Sequence, residues 1–244
     1  FDSKRAKTEI YTDEHRAAAR KLATETFVLL ENSDNVLPLA KKGKIALVGP
    51  LADSRTNMPG TWSVAAAMDK YKTVREAMTD AVKGKAEVLY AKGCNVCYDS
   101  IMEKNSTMFG REMRDNRDAD VMRAEAVKIA QEADVVVACV GEPSEMTGES
   151  SCRTNLEILD AQKDLLTALK ATGKPIVLLN FSGRATVMNW EKENFSTILN
   201  VWFGGSETGD AICDVVFGDV VPSGHLSVTM PKSVGQIPIY YSHL

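Results

Sequence analysis

The chain holds little that would suit a charged polymer, a bilayer or a metal. Lysine and arginine number 29 against 33 acidic residues, a formal charge of −4. No basic stripe is present to neutralise phosphates, so nucleic acid is not an expected partner. No apolar run approaches the roughly 20 residues needed to span a bilayer, and no membrane partner is expected. The only histidines are His15, His225 and His243. Five cysteines leave an odd count, and Cys94 and Cys97 form a C-x-x-C pair, a spacing used by redox pairs and by half zinc sites. No second such pair and no histidine pair completes it. Cys139 lies inside an apolar run, where a thiol behaves as a small hydrophobe. No disulfide framework, metal or cofactor is therefore expected. The turn Gly204-Gly205-Ser206-Glu207-Thr208-Gly209 lacks the spacing of a dinucleotide fingerprint, and no P-loop occurs. There is no internal repeat. The chain opens on Phe1-Asp2-Ser3-Lys4-Arg5 without Met or signal peptide, and it is expected to be a mature or excised piece of something longer.

What is present is a regular alternation. Short β-type runs cover 44–48, 87–90, 134–140, 175–180, 196–203 and 226–230. Several are apolar without alternation, as strands covered on both faces should be. Amphipathic stretches separate them at Val74–Val82, Asp120–Glu132, Asp160–Ala171 and Glu207–Phe217. This order predicts an α/β fold, a mostly parallel sheet of about six strands with helices on both faces. Ligands of such sheets gather outside the carboxyl ends of the strands. Residues 1–43 differ: Glu14–Glu31 reads as one helix that precedes the first strand. The expected division is a lead-in linker and helix, 1–43, and an α/β-sandwich domain, 44–244.

The loop Gly141–Arg153 is about a dozen residues long, and loops of that length in compact domains tend to be functional. It carries Glu142, Glu145 and Glu149 at the sheet's ligand-binding edge. A partly desolvated carboxyl there would have a raised pKa and could donate a proton. A solvated acidic loop with Arg153 as ion-pair partner explains the same residues. Trp62 is open in the same way. Core burial is the commoner fate of tryptophan, but Trp62 follows Pro59-Gly60 and precedes small residues rather than an apolar stripe. An exposed indole face stacks on the apolar side of a pyranose. Trp202 and Phe203 read as core.

Ordered blocks along nearly the whole chain decide between these readings. They include Val28-Leu29-Leu30-Glu31-Asn32, Ile45-Ala46-Leu47-Val48-Gly49-Pro50-Leu51-Ala52-Asp53, Gly60-Thr61-Trp62-Ser63, Gly148-Glu149-Ser150-Ser151-Cys152-Arg153-Thr154, Trp202-Phe203-Gly204-Gly205-Ser206-Glu207-Thr208-Gly209 and Tyr240-Tyr241-Ser242-His243. In these the chain resembles the second, α/β-sandwich domain of family 3 glycoside hydrolases of the periplasmic β-glucosidase type.

The resemblance implies a retaining exo-acting hydrolase that removes terminal β-D-glycosyl residues from an oligosaccharide or aryl β-glycoside. Glu149 matches the family's general acid/base, which protonates the leaving oxygen and then activates water. Trp62 and Ser63 match substrate-binding positions on the leaving-group side. Glu142, Arg153 and Asp53 would position the loop, with Arg153 turned back toward Asp53 or Glu142 so that its charge does not depress the acid's pKa. Glu145 has no family counterpart and reads as surface. A retaining mechanism needs a second carboxylate about 5 Å from the first. The family's nucleophile is an Asp in a preceding (β/α)₈ barrel, and no Ser-Asp-Trp-type motif occurs in this chain. The isolated chain is therefore expected to be inactive, and the barrel is its expected partner. A periplasmic or secreted location follows from the resemblance alone. The alternative is a non-catalytic sugar-binding or structural α/β module, since fold does not fix function.

Overall fold

The unalternating apolar runs become strands buried on both faces, every residue from Ile176 to Phe181 and from Val136 to Gly141 being buried. The computed structural model describes residues 3–63, 66–106 and 114–242. Phe1, Asp2 and His243, used in the sequence reading, lie outside them. Six strands, β1 (Val28–Asn32), β2 (Gly43–Val48), β3 (Ala86–Ala91), β4 (Val135–Gly141), β5 (Ile176–Phe181) and β6 (Thr197–Asn200), form one sheet in the order β1-β6-β5-β4-β2-β3. All neighbours are parallel except β1, which pairs antiparallel with β6 at one edge.

Side chains alternate across the sheet and build two cores. On one face Ile45, Leu47, Val137, Cys139, Val177, Leu179 and Leu199 pack with Phe27 and with the helices α3 (Val74–Ala81) and α8 (Thr208–Val216). On the other, Ala46, Val48, Val136, Ala138, Val140, Leu178 and Ile198 meet α5 (Ala119–Glu132) and α6 (Asp160–Lys170). The helices α1 (Ala6–Glu9), α2 (Asp13–Thr26), α4 (Ser100–Asn105) and α7 (Asn189–Asn194) complete a three-layer α/β/α sandwich. The α/β class read from the sequence is the fold observed.

Two elements differ from the sequence reading. The helix expected over Glu14–Glu31 ends at Thr26, and Val28–Asn32 is a strand. Phe27 and Val28 lose side-chain freedom in a helix, and from Val28 on the open edge of β6 offers the backbone a ladder instead. Part of segment 1–43 thus belongs to the sheet. The strand expected at 226–230 does not form. Leu226 and Val228 are exposed, and the β6 edge is already taken by β1.

Parallel order sends the loops after β2, β4, β5 and β6 to the same edge. That edge carries residues 49–73, 142–159, 182–188 and 201–207.

Candidate active site

The loop after β4 is anchored at its root by buried polar contacts. Gly141, at the strand's end, has φ 123°, and a Cβ there would lie 2.0 Å from the Phe181 carbonyl oxygen, so only glycine lets the backbone leave here. Its N–H donates to Gln162 Oε1 at 2.7 Å, and Gln162 Nε2 donates back to the Gly141 carbonyl at 3.0 Å and to that of Val96 at 2.8 Å. Gln162 is fully buried on α6.

Glu142 is buried and fully engaged. Its carboxylate accepts from Arg153 Nη1 at 2.5 Å and from Ser182 Oγ at 2.9 Å, and Arg184 Nε lies 3.3 Å away. Arg153 Nη2 also donates to the Glu157 carbonyl at 2.8 Å, so the loop's last residue is folded back onto its second. Arg184 reaches on to the Met146 carbonyl. Of the two partners expected for Arg153, Glu142 is the one observed. Asp53 serves elsewhere, accepting from Thr73 Oγ1 at 2.9 Å and from Arg75 Nη1 at 3.0 Å. Its place is the start of α3, away from the acid loop's ion pair. Bound to Glu142, Arg153 is not paired with Glu149.

Glu149 is exposed, and among the described residues its carboxylate has no hydrogen bond or ion pair. Its neighbours on both sides have positive φ: Gly148 at 112° and Ser150 at 63°. At Gly148 a Cβ would sit 2.7 Å from Thr61 Cγ2, so close packing as well as φ demands glycine. Glu145, expected as surface, is half-buried instead, and burial raises its carboxyl above the ordinary range. Its flank is occupied by the loop itself, where Ser151 Oγ donates to the Glu145 carbonyl at 2.5 Å.

Trp62 is 70% exposed and so is not a core side chain. Ser63 is half-buried, and its Oγ donates to the Gly60 carbonyl at 2.7 Å, tightening the turn that carries Trp62. Trp202 and Phe203, expected as core, are half-buried, and of the two Phe203 packs against the core that holds Phe27. Trp202 has φ 49°, and its indole N–H donates to the Thr26 carbonyl at 3.1 Å.

The five cysteines are free thiols. Burial pushes Cys97 up to about 11 and Cys94 higher still, so neither is a ready thiolate.

Four contributors escaped the sequence reading: Asn57, Thr61, Gln162 and Arg184. Gln162 gave a signal, because it stands three and four residues before Leu165 and Leu166 on the buried stripe of α6. The others bond chiefly to backbone atoms far along the chain, which residue spacing does not encode.

The arrangement is an exposed carboxylate with no partner among the described residues and an exposed indole, on loops at the same sheet edge, with the carboxylate's loop locked at its root. Residues 27–244 match the family described as Glycosyl hydrolase family 3 C-terminal domain. A periplasmic beta-glucosidase of Salmonella typhimurium is 48% identical over 231 residues, which are 94% of this chain and 30% of that protein. A beta-xylosidase of Formosa agariphila is 33% identical over 99% of this chain and 32% of its own. The crystal structure of a beta-glucosidase from Listeria innocua superposes with a TM-score of 0.82 at 33% identity, covering 100% of this chain and 30% of that one. This chain thus spans about a third of the length of the relatives it matches. By the extent of these matches and by its fold, it belongs to the glycosyl hydrolase family 3 C-terminal domain family.

Proposed function

We propose that this chain supplies the general acid/base of a retaining β-glycosidase, with Glu149 as that group. Its partner is a (β/α)₈ barrel that carries the Asp nucleophile and most of the sugar site. The substrate is a terminal β-D-glycoside, glucoside or xyloside, of an oligosaccharide or aryl alcohol, and the enzyme works in the periplasm or outside the cell. The observation that carries this reading is the state of Glu149. It is exposed and, among the described residues, unpaired, beside a loop root that is locked, at the edge where such sheets meet their ligands. Covering by a barrel and a bound sugar would desolvate the carboxyl and favour its protonated form. It would then give a proton to the leaving oxygen, and as carboxylate take one from water in the second step. Trp62 would face the leaving group, and the buried Glu142–Arg153 pair would hold the loop's base.

Glu149→Ala in the full-length enzyme tests this. Hydrolysis of alkyl glucosides should fall by about 10²–10⁴-fold, activated aryl glucosides should be largely spared, and azide should rescue the variant. Unchanged turnover of unactivated glucosides would sink the assignment. One observation favours a second reading within the same loop, the raised pKa of half-buried Glu145. If Glu145→Gln rather than Glu149→Ala gives the leaving-group dependence, the acid is Glu145. The non-catalytic alternative predicts that the isolated chain binds glucose through Trp62, measurable by calorimetry.

A further inference from the structure

Trp62 and Glu149 belong to loops that leave different strands, β2 and β4, yet the two loops share a latch. Thr61 Oγ1 lies 2.5 Å from the Ser144 carbonyl and 2.6 Å from the Thr147 carbonyl, so one hydroxyl bridges both ends of the short turn 144–147. Its methyl fills the space over Gly148, the residue before Glu149. A second contact runs the same way: the Ser144 N–H donates to Asn57 Oδ1 at 2.8 Å. Asn57 is itself buried and held, its Nδ2 donating to Ser54 Oγ at 2.7 Å and its carbonyl accepting from Gly60 N–H at 3.3 Å. Two donors, the Thr61 hydroxyl with its one proton shared between the two carbonyls and the Ser144 N–H, therefore tie together loops whose residues are 83 to 87 positions apart in sequence.

We infer that Thr61, with Asn57 behind it, is a positioning residue that makes the Trp62 turn and the Glu149 turn one rigid body. The physical case rests on where freedom remains. Glu142, Arg153 and Arg184 fix the root of the acid loop, and among the described residues their hydrogen bonds go to neither Gly148 nor Glu149. Between the root and the carboxylate the backbone is also met by Arg184, on the Met146 carbonyl, and by Ser151 Oγ, on the Glu145 carbonyl, but the contact from the Trp62 loop beside Gly148 is Thr61. Trp62 is the next residue along. A displacement of Thr61 therefore moves the indole and the carboxyl together, and holding a leaving group against the indole holds the acid at a set height above it. Geometry of this kind is where catalytic groups gain or lose rate without touching the reacting atoms.

Because the kinetic consequence rests on Glu149 being the acid, the experiment has two independent arms on the full-length enzyme. The first is amide hydrogen exchange, which needs no catalysis. Thr61→Val keeps the shape and removes the hydroxyl, and it should speed exchange by about three- to tenfold in both 57–63 and 144–149. Thr61→Ser should leave both near wild type. Thr61→Ala, which adds no bulk, is measured alongside in case valine folds poorly. Faster exchange in one segment alone, or in neither, overturns the latch. The second arm compares alkyl and dinitrophenyl glucosides after titration of active sites. Thr61→Val should lower kcat on alkyl glucosides about tenfold and raise KM for aryl aglycones, with kcat on the dinitrophenyl substrate nearly unchanged. An equal loss on every substrate would mark a merely structural role and overturn the proposal. If Glu149→Ala shows no leaving-group dependence while exchange remains coupled, the acid assignment fails and the latch stands.

Discussion

Glu142 and Glu149 stand seven residues apart and have opposite surroundings, and the difference tells what each can do. Glu142 is enclosed with two guanidiniums and a hydroxyl, its side chain 2% exposed. A carboxylate so fixed is a strut, since every oxygen is spoken for. Glu142→Gln would leave Arg153, 5% exposed, with a buried uncompensated charge. The variant should lose about 3 kcal/mol of unfolding free energy, read from the denaturant midpoint. Glu149→Gln, being exposed, should change stability by less than about 0.5 kcal/mol. At this scale the sequence was legible for Arg153 as far as two partners, Asp53 or Glu142, of which Glu142 is the one observed. For Asp53 it was not, because its partner Arg75 lies on α3 and nothing in the linear pattern distinguishes one arginine from another. Thr61 was hidden for a related reason: its partners are carbonyls, which every residue has.

At the scale of elements, the start of α3 gathers the loop that carries Trp62. Thr73 and Glu76 form a reciprocal cap, Thr73 Oγ1 accepting from the Glu76 N–H at 3.2 Å and Glu76 Oε2 from the Thr73 N–H at 3.0 Å. Thr73 Oγ1 also donates to Asp53, and Glu76 pairs with Arg55, so the helix end holds both neighbours in the loop. Thr73→Ala removes the cap and the Asp53 bond together. It should cost about 1–2 kcal/mol in thermal or chemical unfolding, while Thr73→Ser should recover most of it. The central strands and the helices α3, α5, α6 and α8 were readable from periodicity and from glycine stops. The edges were not. Whether Val28–Asn32 or 226–230 takes the free side of β6 is settled by competition for one ladder, and both segments have strand-like composition.

For the molecule as a whole, the question is what one carboxylate at the rim of a sheet can accomplish. A retaining hydrolase needs two, about 5 Å apart. The isolated 244-residue chain should therefore release no aglycone from any aryl β-glucoside under conditions where the full-length enzyme turns over. Product release by the isolated chain would mean that a nucleophile lies within it. The fold class was the most legible level of all, because alternating β and α segments with unalternating strands admit few arrangements.

The antiparallel edge strand bears on the order of events during synthesis. Asn32 faces Thr197 across the ladder, 165 residues later in the chain. As the polypeptide leaves the ribosome, β1 emerges early and has no partner until β6 has followed it out. Contacts so distant in sequence close late and slowly. Until then Val28, Leu29 and Leu30 form an unpaired apolar strand, the kind of segment that chaperones bind and that seeds aggregation. The edge that completes the sheet thus waits 165 residues of synthesis for its partner.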